Sequence, residues 1–308
     1  MKLIISPANY NNALDLIHNN ADILLLTDSD FGVRNVYDCK LDDLRKIIDN
    51  KQNTQIWVNV NAFFYEQDIE RLENYLEELA KLNVDRVVFN DLAIPQIDWE
   101  KNLNLKLHYD PNTLVTSYGQ FEFYIENNFK SVSLSNELFL PEVTQILNNK
   151  PKELEIGIQV NGFVFIMHSR WNLVTNFRDY VNDKDDEYVK NKIMFIREES
   201  RQWPNIIYED KHGTHMFSGY ELCLVQFLDK FKNMNLDFIK IDNVMHEEPE
   251  YTLKLLDIYQ RGLKSLEDNT FNEIKDQLFE EAKQVALNQK ISTGFIGGPL
   301  NIKHYEKH

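Results

Sequence analysis

Residues 55–89 read QIWVNVNAFFYEQDIERLENYLEELAKLNVDRVVF. The first six, Gln55 to Val60, are β-branched and aromatic, the composition of a pleated strand. From Glu66 to Leu82 the apolar residues return at helical spacing. Ile69, Leu72, Tyr75, Leu76, Leu79 and Leu82 fall on one stripe. Arg86–Phe89 is again a short apolar run, so the stretch reads strand, helix, strand. The same rhythm extends in both directions. Leu3–Ser6, Ile23–Leu26, Leu105–Tyr109, Ser131–Leu134, Leu154–Val160 and Phe238–Ile241 read as strands. Helical patterns lie at Asn11–Asn19, near Tyr118–Asn127, and from Pro141, whose fixed φ suits a first helical turn. Short unbroken apolar runs are what strands buried on both faces look like. About eight strands with helical crossovers predict an α/β fold of the (β/α)8, TIM-barrel-like type, with an open doubly wound sheet as the alternative.

One region breaks the rhythm. Residues 177–220 are polar and aromatic without a clean period, and read as an insertion between the last two strands with its own short helix and hairpin. Its aromatic residues, Tyr180, Tyr188, Phe195, Trp203, Tyr208 and Phe217, suit either a lid or an interface. From Lys264 the chain is charged and helical before a Gly/Pro-containing tail. The expected organisation is a barrel over 1–263 and a C-terminal helical extension over 264–308.

Composition narrows the function classes. The 308 residues are 43% hydrophobic and 27% charged, enough for a sizeable core. The net charge of −16 gains little from the counterion release that drives autonomous binding to phosphate backbones, although a basic partner changes that balance. Two cysteines, Cys39 and Cys223, rule out a disulfide scaffold and a four-thiolate metal site. They read as buried, inert thiols, Cys223 within an apolar helix (YELCLVQFL). The opening residues lack the pattern of a signal peptide and no run approaches a membrane span, so a cytoplasmic protein without a membrane partner is expected.

A barrel gathers side chains at the C-terminal ends of its strands. Those ends carry Ser6, Asn59, Asn61, Asn90, Asp91, Tyr109, Asp110, Glu137, Asn161 and Asp242. Either these amides and carboxylates converge on a polar ligand, or they cap the helices that follow. GFVFIMHSRWNLVTNF (Gly162–Phe177) places His168, Arg170 and Trp171 just after a strand, where a loop is expected. His212 and His215, three apart with no third ligand, read as exposed imidazoles on a turn rather than a metal site. His246-Glu-Glu-Pro lacks the second histidine of a zinc protease. Neither a nucleophile elbow nor a phosphate-cradling Gly-rich loop is present. No metal site is expected.

Several segments in order resemble peptidase family U32. These are Leu3–Ala8 (LIISPA), Ala21–Leu26, VNVNAFF with Asn59 and Asn61, VDRVVFNDLAIP with Asp91, SVSLSNELFLPEV with Glu137, and FIKIDNVMHEEPEY with Asp242. Asn136 stands where the family usually has Arg, Asp242 where it has Glu, and Val244 where it has Arg. The family signature, approximately His-Gly-x-x-Cys-x6-Cys-x-x-Ser-Asn, is altered here. Asn161 replaces the His, Gly162 is kept, Phe165 and Asn172 occupy the Cys positions, and Thr175-Asn176 stands for Ser-Asn. Ser200-Arg201 matches a further Cys-Arg. Similar proteins that hydroxylate the tRNA wobble uridine or assist ubiquinone hydroxylation hold a four-iron cluster on four cysteines. Phe, Asn and Ser do not replace thiolates as a set, so the resemblance implies that this chain has no iron–sulfur cofactor.

The resemblance further implies the shorter of two U32 proteins often paired in Gram-positive bacteria. That protein is the cluster-free subunit of a prephenate-dependent tRNA uridine 5-hydroxylation system. A larger, cysteine-containing U32 partner supplies the tRNA contact, and a small carboxylate such as prephenate is a possible ligand. Two readings compete with it. One is a peptidase using Asp91, Glu137 and Asp242. The other is a binding barrel without turnover, its ligand held by Asn59, Asn61, Asp110, Asn161, His168, Arg170 and Arg201, the arginines suited to bidentate carboxylate recognition.

Overall fold

The computed structural model describes residues 1–182, 193–199 and 203–298. In chain order the strands are β1 (Lys2–Ile5), β2 (Ile23–Thr27), β3 (Gln55–Val60), β4 (Arg86–Phe89), β5 (Leu107–Tyr109), β6 (Phe129–Ser133), β7 (Glu155–Ser169), β8 (Ile193–Ile196), β9 (Asn205–Asp210), β10 (Gly213–Cys223), β11 (Phe238–Ile241) and β12 (Ile291–Ser292). The helices are α1 (Tyr10–His18), α2 (Leu41–Asp49), α3 (Ile69–Lys81), α4 (Ala93–Lys101), α5 (Phe121–Glu126), α6 (Leu140–Asn148), α7 (Leu173–Val181), α8 (Leu228–Asn233), α9 (Pro249–Glu267) and α10 (Phe271–Val285).

Strands β1 to β7 pair in parallel and in sequence, and β11 pairs in parallel with both β1 and β7. That double pairing closes an eight-stranded barrel and excludes the open sheet. Side chains alternate between the two faces of each strand. Ile4, Ile23, Leu25, Trp57, Val88 and Phe238 fill the interior, while Ile5, Leu24, Val58, Val87 and Ile239 meet the helices. The helix expected after β3 buries Leu72, Tyr75, Leu76 and Leu79, with Ile69 and Leu82 packed at the margins.

Trp57 sits near the barrel axis, its ring 5.0 Å from that of His108 and 5.1 Å from that of Phe238. Both imidazole nitrogens of His108 are satisfied, by Ser131 Oγ at 2.6 Å and Ser133 Oγ at 2.9 Å. Burial pushes the His108 pKa down to about 3, so the ring is neutral in the folded chain. Beneath it Arg86 donates to Ser131 and Glu155, its guanidinium 4.7 Å from the centre of the Trp57 ring.

The insertion begins earlier than the sequence suggested. β7 does not end at Val160. It bends at Gly162 (φ +102°) and runs on to Ser169, pairing antiparallel with β10, which pairs with β9, and β9 with β8. A Cβ at Gly162 would lie 2.2 Å from the Asp242 carbonyl oxygen, so glycine is required where the strand leaves the barrel. The segment holding His168 is therefore strand rather than loop, and its polar–apolar mixture reflects a sheet flap with one face on the barrel mouth. Cys223 likewise closes β10 instead of lying in a helix. The expected hairpin is β9–β10. Helix α9 covers β1 and runs through positions 263 and 264, where the sequence divided barrel from extension, and α10 packs upon it. Among the described residues no helix is long and apolar enough to cross a membrane.

Candidate functional site

The alternation that places Trp57, Val88, His108 and Phe238 inside also carries Asn59, Asn90, Asp110 and Lys240 to the barrel's C-terminal mouth, with Asp242 one step beyond. Lys240 Nζ donates to Asp110 Oδ2 at 2.8 Å and lies 4.0 Å from Asp242 Oδ2. Burial pushes the Asp110 carboxyl up, but the charge of Lys240 outweighs it and holds the pKa at about 2. Burial lowers the Lys240 pKa, yet Asp110 and Asp242 bring it above its ordinary value. For Asp242 burial wins over Lys240, and its pKa is raised. Next to Lys240 in register, Gln159 accepts from Asn136 Nδ2 at 2.7 Å. The remaining amide oxygens of Asn136 and Asn90 are buried without a partner.

A loop after β2 brings Arg34 to this mouth. Gly32 lets it in, since a Cβ there would meet Thr27 Cγ2 at 2.4 Å and the Asn59 carbonyl oxygen at 2.7 Å. Asn61 Oδ1 accepts from Val33 N at 2.8 Å and fixes the loop. Arg34 itself adopts φ +60°. Its guanidinium lies 4.2 Å from the centre of the Phe165 ring, and Nη2 reaches Asn112 Oδ1 at 3.4 Å. Asn112 in turn donates to Asp110 Oδ1 at 2.7 Å. Among the described residues no carboxylate forms an ion pair with Arg34. Burial lowers its pKa, while Tyr208, Asp110, Asp242 and Asp210 act on it through space in the other direction.

The flap contributes a column of rings. Phe63 stacks on His168 at 5.6 Å, His168 on His215 at 4.6 Å, and His215 on Tyr208 at 4.9 Å, followed by Phe217 at 5.9 Å from Tyr208. His215 is fully buried, contrary to the exposed turn expected, because it lies in β10 and faces Asp210, with Nε2 3.0 Å from Oδ1. Burial lowers the pKa of both His168 and His215.

The candidates named from the sequence divide into groups. Asn59, Asp110 and Asp242 line the mouth, and Asn61 positions its loop. Asp91 instead accepts from the amides of Phe64 (3.1 Å) and Ala93 (3.0 Å). Glu137 is exposed, while Asp242 lies 4.0 Å from Lys240 Nζ. Asn161 faces the helix layer, where Tyr259 Oη donates to its Oδ1 at 3.2 Å. His168 belongs to the ring column, while exposed Arg170 rests on Tyr65. Together these two line a cleft of about 250 Å³ with Asp30, Arg71 and Lys211. Ser200 and Arg201 lie outside the described residues. Sequence reasoning missed Arg34, Lys240 and Gln159. A lysine inside the apolar run FIKI was a signal, since lysine is rarely buried unpaired. Arg34 carried none.

Among the described residues no group of three or more His, Cys, Asp or Glu is placed to hold a metal ion. Phe165 and Asn172, at the positions of the signature cysteines, do not fit a thiolate-held cluster. One presents a ring covered by a guanidinium, and the other an exposed amide. Both thiols are buried, which pushes Cys39 and Cys223 up to about 12 and leaves them protonated.

Comparison with known proteins gives the family. The chain is 28% identical to tRNA hydroxylation protein P2 of Bacillus subtilis over 96% of its own length and 97% of that protein. It is 19% identical to tRNA hydroxylation protein P1 of the same organism, over 96% of this chain but 71% of that one. It is 24% identical to an uncharacterized protease of Methanocaldococcus jannaschii over 82% and 61% of the two chains. The model of peptidase family U32 matches residues 8–306, and the chain belongs to that family.

Proposed function

We propose that this chain is a subunit of a tRNA hydroxylation system, acting in the cytoplasm beside a larger U32 protein and holding no iron–sulfur cluster of its own. The observation that carries this reading is the end-to-end match with tRNA hydroxylation protein P2, while P1 of the same organism extends beyond the aligned region. The donor set agrees, because the positions of the signature cysteines bear Phe165 and Asn172. The net charge of −16 leaves contact with tRNA to the partner. The mouth lined by Arg34 and Lys240 suits a small carboxylate, with prephenate the candidate that the family resemblance suggests. The peptidase reading draws on the family name alone. Of its three proposed carboxylates Asp91 is engaged by the amides of Phe64 and Ala93, and neither thiol is activated.

Deleting the gene and measuring 5-hydroxyuridine-type modifications in bulk tRNA tests the role. Loss or strong reduction is expected. Unchanged levels in cells without a redundant route refute it. A pull-down of the tagged chain is expected to recover a larger, cysteine-rich U32 protein.

A further inference from the structure

We propose that the groove between α4 and α5, on the outside of the barrel, docks an apolar, basic segment of the larger U32 protein. The inference rests on the partner reading above and adds to it the surface used. At about 100° per residue, Ile94, Ile97 and Asp98 of α4 turn inward, whereas Leu92 and Trp99 fall on the opposite side. The outer side of a surface helix is ordinarily polar. Here Leu92 is exposed and Trp99 is 73% exposed. Across the gap, α5 buries Phe121 and Tyr124 and leaves Phe123 exposed. Phe129, buried at the start of β6, meets the Phe123 ring edge-on at 6.1 Å and lies at the base of the groove. The volume enclosed is about 600 Å³, and no lining residue is shared with the cleft beside His168 and Arg170.

Charge selects the occupant. The charged lining consists of Asp98, which accepts from Leu105 N at 2.9 Å, and Glu126, which is exposed and has no ion pair among the described residues. No Lys, Arg or His lines the groove. The neighbouring cations are engaged elsewhere. Lys101 is held by Glu73 at 2.8 Å and Glu77 at 3.2 Å, and Lys130 donates to Asn128 Oδ1 at 2.6 Å. Such a lining disfavours a second copy of a chain whose net charge is −16, and favours a protein that carries the basic contact to tRNA. An apolar patch with a polar rim marks a protein-binding face, and tryptophan is among the side chains that dominate interface energetics. A Lys or Arg of the occupant reaches Glu126 while apolar neighbours on the same segment cover Trp99 and Phe123.

The larger U32 protein recovered with the tagged chain is purified and titrated against the full chain by calorimetry, and the complex is mapped by hydrogen exchange. Trp99→Ala and Phe123→Ala are each expected to weaken the complex about tenfold or more. Glu126→Lys is expected to weaken it more at low salt than at high salt. Tyr180→Ala, at an exposed aromatic side chain of α7, is expected to leave the affinity unchanged. In the wild-type complex, amides of residues 92–104 and 121–129 are expected to gain protection, a readout that holds even where a variant fails to fold. Undiminished binding by both folded aromatic variants, protection confined to other segments, or self-association of the isolated chain that Trp99→Ala abolishes overturns the groove and leaves the subunit role standing. Absence of any complex with the wild-type chain overturns both.

Discussion

The ion pair of Lys240 with Asp110 shows how one side chain sets the chemistry of its neighbours. Both groups are buried, so replacing Lys240 by Met leaves an unpaired carboxylate in the barrel. The expected cost at pH 7 is about 3–5 kcal/mol, read from chemical denaturation. The Asp110 pKa is depressed to about 2 in the folded chain, below its unfolded value near 3.9. Its stabilising contribution is therefore complete above the unfolded value and is lost as the pH falls toward 2. In Lys240→Met the carboxyl rises instead, so the penalty relative to wild type is expected to shrink between pH 7 and pH 3. A penalty independent of pH would show that lost packing, not charge, is responsible. Gly32→Ala acts by volume. Its Cβ has 2.4 Å to Thr27 Cγ2, so the loop bearing Arg34 must move. A loss of about 1–3 kcal/mol in thermal unfolding is expected, with changed arginine side-chain NMR signals.

At the scale of elements, β7 does two jobs. As far as Val160 it is a barrel stave buried on both faces, and beyond Gly162 it is the first strand of a flap. The helical crossovers were legible because apolar residues recur every three to four positions, as in α3. The flap was not. Its strands alternate across a sheet with one face on the polar mouth and the other under α7, so His168, His215 and Tyr208 look like loop residues until their stacking is seen. Helix α7 begins on Glu209, which accepts from Val174 N at 2.6 Å and from Thr175 Oγ1 at 2.5 Å. Glu209→Ala removes that cap from β9 and is expected to cost about 1–2 kcal/mol, measured by thermal unfolding, with a loss of helical circular dichroism. Gly162→Ala, with its Cβ 2.2 Å from the Asp242 carbonyl oxygen at φ +102°, is expected to be the more damaging change and to expose the flap to limited proteolysis.

Over the whole molecule, charge decides what the chain does alone. With a net charge of −16, the isolated protein is expected to show no retardation of tRNA at about 150 mM salt, while a complex with the larger relative does, with a steep salt dependence. Retention of tRNA by this chain alone would contradict the division of labour proposed here. Closure of the barrel by β11 also explains why sites distant in sequence act together: Arg34, Asp110, Phe165 and Lys240 come from four separate segments.

By itself the sequence determined an α/β fold of strands joined by helical crossovers, because strands buried on both faces must be apolar and their crossover helices must carry a stripe, while closure into a barrel was decided by the pairing of β11 with both β1 and β7. It determined the family resemblance and the absence of thiolates at Phe165 and Asn172, since residue identity alone settles which donors exist. Tertiary structure alone decided which rim residues face the mouth. Asn59 and Asp110 point inward because a pleat sends alternate residues to opposite faces, and Asn161 points outward because the register of β7 slips by one residue between Gln159 and Asn161, opposite Lys240 and Ile241. Arg34 entered the site through a loop whose path depends on contacts with Thr27, Asn59 and Asn61, and no local pattern in FGVRN encodes where such a loop comes to rest.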